Sequence, residues 1–424
     1  MTGRPDPSSG APGAGAPLSR RALLARTGVA AAGMAAAGLA RTAGGTTEAG
    51  AATASADGPA VPFFGAHQAG ITTPVQARLA LAAFDVTAER RSDLVDLLAT
   101  WTGMAARLTT GRPLTGPGGP DAPPADTGEA QGLGPARLTL TLGYGPSLFD
   151  ARFGLAARRP AGLEPLPAFP GDALEEARSG GDLIVQVCAD DPQVAFHAVH
   201  ALARAGLGVV QLRWIQTGFG PTSATGRSST PRNLLGFRDG TRNLDVSDAA
   251  AARTHLWAGA GDQAWMAGGT YLVARRIRIH LERWDRSALA DQERTIGRTK
   301  SSGAPLGASR EHDPVDLAAV DSHGVPHIPD GAHIRQAAPD TNHGATLLRR
   351  GYSYADGIDP GSGELDAGLV FLCFQRDPRR QFVPIQRRLA TQDGLREYLT
   401  HTASAVAACP PGPRPDRPWG HELA

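Results

Sequence analysis

The segment Leu234–Asn243 reads LLGFRDGTRN, an apolar pair, a glycine and a phenylalanine, then three charged side chains and an amide. Asp-Gly is a strong turn signal, so one reading of Asp239 is a turn residue in a surface hairpin. The other is a chemical carboxylate, able to move a proton when a reactant is held within hydrogen-bond reach. Two further segments carry groups of comparable interest: Ala332-His333-Ile334-Arg335, and LLRRGYSY from Leu347 to Tyr354. His333 belongs to a polar stretch, 297–342, that also holds His312, His323 and His327. A structureless run of that length inside a compact domain is usually functional. Taken alone, however, His333 reads as a solvated loop histidine and Arg349 as an ordinary surface arginine. Cys188, Cys373 and Cys409 are odd in number and form no CxxC pair. That argues against a disulfide framework and a thiolate zinc site, and Cys188 and Cys373 read as buried thiols in apolar strands.

The elements that must position these residues follow from periodicity. Strand-like runs are expected at 79–86, 138–144, 182–189 and 209–216, with helical spacing over 87–108 and 191–205. The order strand, helix, strand, strand, helix, strand is the split βαβ pattern of a ferredoxin-like unit. The second half repeats the outline. A long strand is expected within 269–282, a helix over 285–296, a buried strand over 368–375, and helices over 379–390 and 394–407. Residues 410–424 read as a tail, and the fourth strand of this half is not evident, Tyr352–Tyr354 being short. The expectation is an α+β fold of two ferredoxin-like βαββαβ halves with antiparallel sheets, residues 57–220 and 221–424.

Residues 1–56 read as a leader. Ser19-Arg20-Arg21-Ala22-Leu23-Leu24 precedes an apolar, Ala/Gly-rich run, Gly28 to Ala40, too short to span a bilayer comfortably. Small residues such as Ala54-Ser55-Ala56 follow. This is the layout of a twin-arginine export signal. That route carries folded proteins, which hints at a cofactor inserted before export, with a destination outside the cell, at the envelope or in the periplasm. The remaining chain shows no other membrane segment. With 41% hydrophobic residues and a formal net charge of +1, a soluble globular product is expected, and neither nucleic acid nor an acidic membrane as partner. Lys300 is the only lysine, so the arginines reflect coding bias rather than a binding patch.

GFRDG, HIR and LLRRGYSY, in that order, resemble the dye-decolorizing peroxidases. HQAGI at His67–Ile71, FDV ending the first strand, GRTK at Gly297–Lys300 and QFVPIQRRL from Gln381 are similar as well. The resemblance covers about Val61 to Cys409 and is closest to the exported, deferrochelatase-like branch. It implies a barrel-like pairing of the two halves enclosing one haem b per chain. It implies His333 as the proximal iron ligand, with His343 a distant rival, and a hydrogen-bond partner on its other nitrogen, for which Asp377 is a candidate. It implies Asp239 as the distal acid/base for hydrogen peroxide, with Arg349 over the same face. Gly240, Thr241 and Arg242 would line the haem, and Arg242 and Arg335 would pair with its propionates. After HIR the family often runs A-N-P-R, whereas this chain has Ala337-Ala338-Pro339-Asp340. Carboxylates ordinarily titrate near pH ~4, so an acidic optimum is expected. The implied activity is peroxidase oxidation of bulky phenolic or dye-like donors, with haem handling in iron acquisition as the alternative. Tyr352, Tyr354, Tyr398, Trp214, Trp265 and Trp284 are candidate electron relays.

Overall fold

The computed structural model describes residues 58–116, 120–221, 230–259 and 263–424. The twin-arginine segment and the cleavage-site alanines lie outside the described residues. Four strands and two helices come first: β1 (Arg78–Val86), α1 (Arg91–Leu108), β2 (Thr139–Tyr144), β3 (Leu183–Ala189), α2 (Pro192–Ala205) and β4 (Val210–Pro221). A short helix α3 (Ala249–His255) leads into β5 (Thr270–Ile279), α4 (Leu281–Asp285) and α5 (Leu289–Ile296). A single helical turn, α6 (His333–Gln336), precedes β6 (Leu348–Arg349), β7 (Tyr352–Ile358), β8 (Leu365–Gln375), α7 (Phe382–Gln392) and β9 (Leu399–Cys409).

The first four long strands lie in the order β2-β3-β1-β4 and the second four in the order β9-β5-β8-β7, the arrangement of a ferredoxin-like unit in each case. β4 pairs with β7 and β2 with β9, every ladder antiparallel, so the two sets close into one barrel. Closure removes the exposed edges that two separate sheets would present. The missing strand of the second set is β7, which continues well past Tyr354.

Two expectations are corrected. The 394–407 run is not helical: a 3₁₀ turn over Gly394–Tyr398 gives way to β9, paired with β5 from Leu399 to Cys409. Its alanines favour a helix locally, but ten cross-strand partners on β5 override that weak preference. Residues 410–424 are no loose tail either. Trp419 and Leu423 are buried, and Trp419 Nε1–H donates to Gln68 Oε1 at 3.1 Å.

Strand parity explains where the site can form. Leu272 and Ala274 on β5, and Val370, Leu372 and Phe374 on β8, pack inside the barrel with Leu79, Leu81 and Tyr352. Their neighbours of opposite parity, Arg275, Ile277, Leu369 and Phe371, face outward into a cavity. The far wall is α7, whose Phe382, Ile385, Gln386 and Leu389 fall on one stripe at helical spacing.

Candidate functional site

The cavity between this sheet face and α7 has a volume of about 290 Å³, close to the lower end of ligand sites, roughly 300–1,000 Å³. Its walls are largely apolar, with Leu235, Phe237, Ile279 and Leu395 joining the strand and helix residues above. Among the polar groups that line it, His333, Asp239 and Arg349 come from distant points of the chain.

His333 opens α6, a turn reached after the long polar loop. Its Nδ1 lies 2.6 Å from Asp393 Oδ2. Asp393 is 4% exposed and its other oxygen accepts from Leu395 N–H at 2.8 Å, which fixes the carboxylate at the end of α7. Burial disfavours the charged form of His333, but the carboxylate of Asp393 outweighs it, and the net shift of the imidazole pKa is upward. The remaining third of the side chain's surface faces the cavity. Asp393 therefore replaces Asp377 as partner. Asp377 is occupied by Arg379, accepting from its backbone N–H, Nε and Nη2, and does not line the cavity. His343, the rival ligand, is exposed on a residue with φ +55° and also lies outside the cavity wall.

Asp239 sits on the returning arm of a tight hairpin rather than at its tip. The tip is Asn233–Gly236, closed by Gly236 N–H to Asn233 O, and Asp239 N–H donates to Pro231 O at 2.9 Å. Gly240 follows with φ +100°, a left-handed conformation that favours glycine, and a second turn closes from Asn243 N–H to Gly240 O. The chain does turn beside Asp239, and the turn presents the carboxylate to the cavity. Arg349 Nη1 meets Asp239 Oδ1 at 2.6 Å, and both side chains are mostly covered. The polar loop braces this hairpin. Glu311 pairs with Arg238 at 2.9 Å and accepts from Thr241 Oγ1–H at 2.9 Å. Burial raises the pKa of Glu311, but hydrogen bonds from Thr230 and Thr241 and the charge of Arg238 bring it below the ordinary value.

Gly240, Thr241 and Arg242 line the cavity as expected, but Arg335 does not. Its guanidinium is consumed by the carbonyl oxygens of Leu317, Ile328 and Pro329, so it braces the polar loop. Arg298, from the GRTK segment, lines the cavity and is 5% exposed. Burial pushes its pKa down, Glu311 acts against that, and the like charges of Arg242 and Arg349 add to the fall. Arg350, next to Arg349 in the sequence, is no surface residue. It is 1% exposed and donates to Thr73 O and Gln76 Oε1, fastening the chain before β1. Asp393 and Arg298 are the two site residues that sequence reasoning missed. Arg298 carried a signal, since it lies in a segment already noted; Asp393 carried none, being separated from His333 by 60 residues.

These residues fit haem. An imidazole with one nitrogen held by a carboxylate and the other free suits iron, and the apolar slot suits a macrocycle. Among the described residues, neither Arg242 nor Arg298 forms an ion pair with a carboxylate, so the cavity carries positive charge that propionates would neutralise. Among the described residues there is no group of three or more His, Cys, Asp or Glu placed to hold a bare metal ion.

Comparisons with known proteins point the same way. Residues 68–220 match the family described as Dyp-type peroxidase, N-terminal, and residues 230–414 match Dyp-type peroxidase, C-terminal. The deferrochelatase of Escherichia coli is 41% identical over 345 residues, covering 80% of this chain and 81% of the relative. Ferric DtpA from Streptomyces lividans superposes with a TM-score of 0.80 at 42% identity, covering 88% of this chain and 98% of that one. A DyP-type peroxidase from Cellulomonas bogoriensis gives 0.78 at 42% identity, covering 87% and 99%.

Proposed function

Because this chain belongs to the Dyp-type peroxidase family, and is therefore a haem-dependent enzyme that uses hydrogen peroxide to oxidise a reductant, we propose roles for its residues. One haem b would bind per chain, held by His333 through Nε2, while Asp393 holds Nδ1–H. Arg242 and Arg298 take the propionates, in place of the arginine that Asp340 replaces. Bound there, haem would supply a Lewis-acidic, redox-active iron for the two-electron reduction of peroxide. The protein handles the protons. Asp239 accepts the proton from the inner oxygen and returns one to the outer oxygen, acting first as base and then as acid. Arg349 favours the hydroperoxide anion and stabilises negative charge on the departing outer oxygen. The observation that carries this reading is the 2.6 Å contact between Arg349 and Asp239 on the wall of the cavity that His333 enters.

With haem seated in the cavity, no room is left beside it for bulky phenolic or dye-like donors, so their electrons arrive through the protein. Of the six aromatic candidates, Trp284 and Tyr398 are suitably placed. Half-buried Tyr398 stacks edge-on against buried Trp284 at 4.9 Å between ring centroids. Trp284 in turn lies 6.0 Å from Phe237, which lines the cavity. Tyr352 and Tyr354 point inside the barrel, on the wrong side of the sheet. Trp214 packs against the cluster inside the barrel, and Trp265 packs on Tyr144 and Phe149, neither of which lines the cavity.

Every candidate site residue falls in the proposed C-terminal half, 221–424, while 57–220 completes the barrel. Twin-arginine export, and a place outside the cytoplasm, rest on the leader sequence; among the described residues no helix is long and apolar enough to cross a membrane. The relationship to deferrochelatase favours a second reading, in which the same site binds haem for iron acquisition. An absorption spectrum before and after one equivalent of peroxide tests the proposal. A Soret band that shifts with peroxide, alongside dye bleaching, supports the peroxidase roles. A Soret band indifferent to peroxide, with iron released and the ring intact, supports the second reading. A normal Soret band in His333→Ala would refute the ligand assignment.

A further inference from the structure

Asn243 lies four residues beyond Asp239, closing the Gly240–Asn243 turn. Its side-chain amide makes two reciprocal hydrogen bonds across the molecule. Nδ2–H donates to Arg349 O at 2.9 Å, and Oδ1 accepts from Arg349 N–H at 2.8 Å. Arg349 belongs to the two-residue strand β6, the last strand in the sheet order, joined to it through β8 alone. On that side Arg350 N–H donates to Leu372 O. On the other side, the donor and acceptor of Arg349 are met by one asparagine side chain standing in for the strand that is not there.

We propose that Asn243 is a positioning residue that sets the reach between Arg349 and Asp239. The inference rests on the peroxide roles given above. It follows from chemistry that few side chains share. The site needs one donor and one acceptor, side by side, at the distance of a β-ladder partner. Aspartate lacks the donor, alanine lacks both, and glutamine places the pair one methylene too far. Arg349 has a long, flexible side chain, so the place of its guanidinium is first set by its backbone. β6 is too short to fix that backbone by itself. The clamp joins it to the same turn that carries Asp239, so the two groups move as one unit even though 110 residues separate them. A displacement of about 1 Å between such groups can lower a rate ~100-fold.

The test is a double-mutant cycle in the haem-loaded enzyme. Asn243→Ala is expected to lower the rate constant for reaction with peroxide ~10- to 100-fold, leaving KM for the reductant unchanged. Fluoride affinity of the ferric protein, which reads Arg349 without turnover, should fall as well. In an Arg349→Leu background, the same substitution should change neither quantity by more than about twofold, because there is no guanidinium left to place. An equal loss in both backgrounds would overturn the proposal in favour of a general structural role. So would an unchanged peroxide rate in Asn243→Ala. If Arg349→Leu by itself has no effect on the peroxide rate, the reading of the site has failed rather than the clamp. Asn243→Asp serves as the milder variant, retaining the acceptor for Arg349 N–H. Should neither variant take up haem, amide exchange of Arg349 in the apoprotein decides: protection lost on Asn243→Ala supports the clamp, and protection retained refutes it.

Discussion

Replacing Asp393 with asparagine separates the charge of the proximal hydrogen bond from its geometry. With its Oδ1 turned to His333 Nδ1–H, asparagine keeps that bond as a neutral acceptor and sets its NH2 against Leu395 N–H, giving up the second of the two bonds that Asp393 accepts at 2.6 and 2.8 Å. At His333, what is lost is the negative charge of a side chain that is 4% exposed. Hydrogen bonds to charged groups contribute roughly 1.5–3 kcal/mol against 0.5–1.5 kcal/mol for neutral ones, so a loss of about 1–1.5 kcal/mol is expected. That is close to tenfold in haem affinity, at the mild end of the ~10–100-fold found when the partner of a metal-binding histidine is removed. The iron couple should rise by roughly 40–60 mV, because one-electron potentials move about 59 mV per tenfold. Haem transfer to a globin acceptor measures the first quantity and a redox titration the second. The apoprotein offers a third. His333 titrates above the ordinary histidine value there, so the stability it contributes is complete below pH ~6.5 and is lost as pH rises through the raised pKa. In Asp393→Asn, burial is left to dominate and the titration should fall below ordinary histidine. Haem loss, potential and titration all equal to wild type would refute the assignment of Asp393.

Asp239→Asn should lower kcat/KM for peroxide by ~10²–10⁴ with the Soret band intact, and Arg349→Leu by ~10²–10³; stopped-flow mixing measures both, and rates unchanged from wild type would remove these residues from the chemistry. Trp284→Phe and Tyr398→Phe should each slow the bleaching of bulky dyes while sparing the peroxide reaction and oxidation of small donors, so equal slowing of all three would count against the relay. Glu311→Gln should lower the melting temperature at pH 7. Since the pKa of Glu311 is depressed in the fold, its contribution is complete above the ordinary carboxylate value of about 4.3 and disappears only as pH falls through the lower folded value. Melting curves at pH 7, 5 and 3 check that the difference between wild type and variant narrows only at the acid end.

Elements with strong local patterns were legible in the amino-acid sequence. Alternation placed β2, short apolar runs placed β1, β3 and β8, 3.6-residue spacing placed α1 and α2, and the order of elements identified two ferredoxin-like units. The motifs GFRDG, HIR and LLRRGYSY singled out the three groups that meet at the cavity, because their residue types are dictated by chemistry and survive as a linear pattern. The rest depends on contacts between residues far apart in the chain. β9 is alanine-rich and locally helix-prone, and it is a strand because β5 lines up ten partners against it. Arg350 and Arg335 resemble Arg349 and Arg242 in the sequence. One is buried against the chain before β1 and the other is spent on loop carbonyls, outcomes fixed by strand parity and loop path. Asp393 and Asn243 are the clearest cases. Each acts by hydrogen bonding to a residue far along the chain, 60 and 106 positions away, and no period or spacing rule connects such pairs. Hydrogen bonds are directional and short, so partnership across that separation is a property of the folded backbone, while the capacity to form it is all that the residue type records.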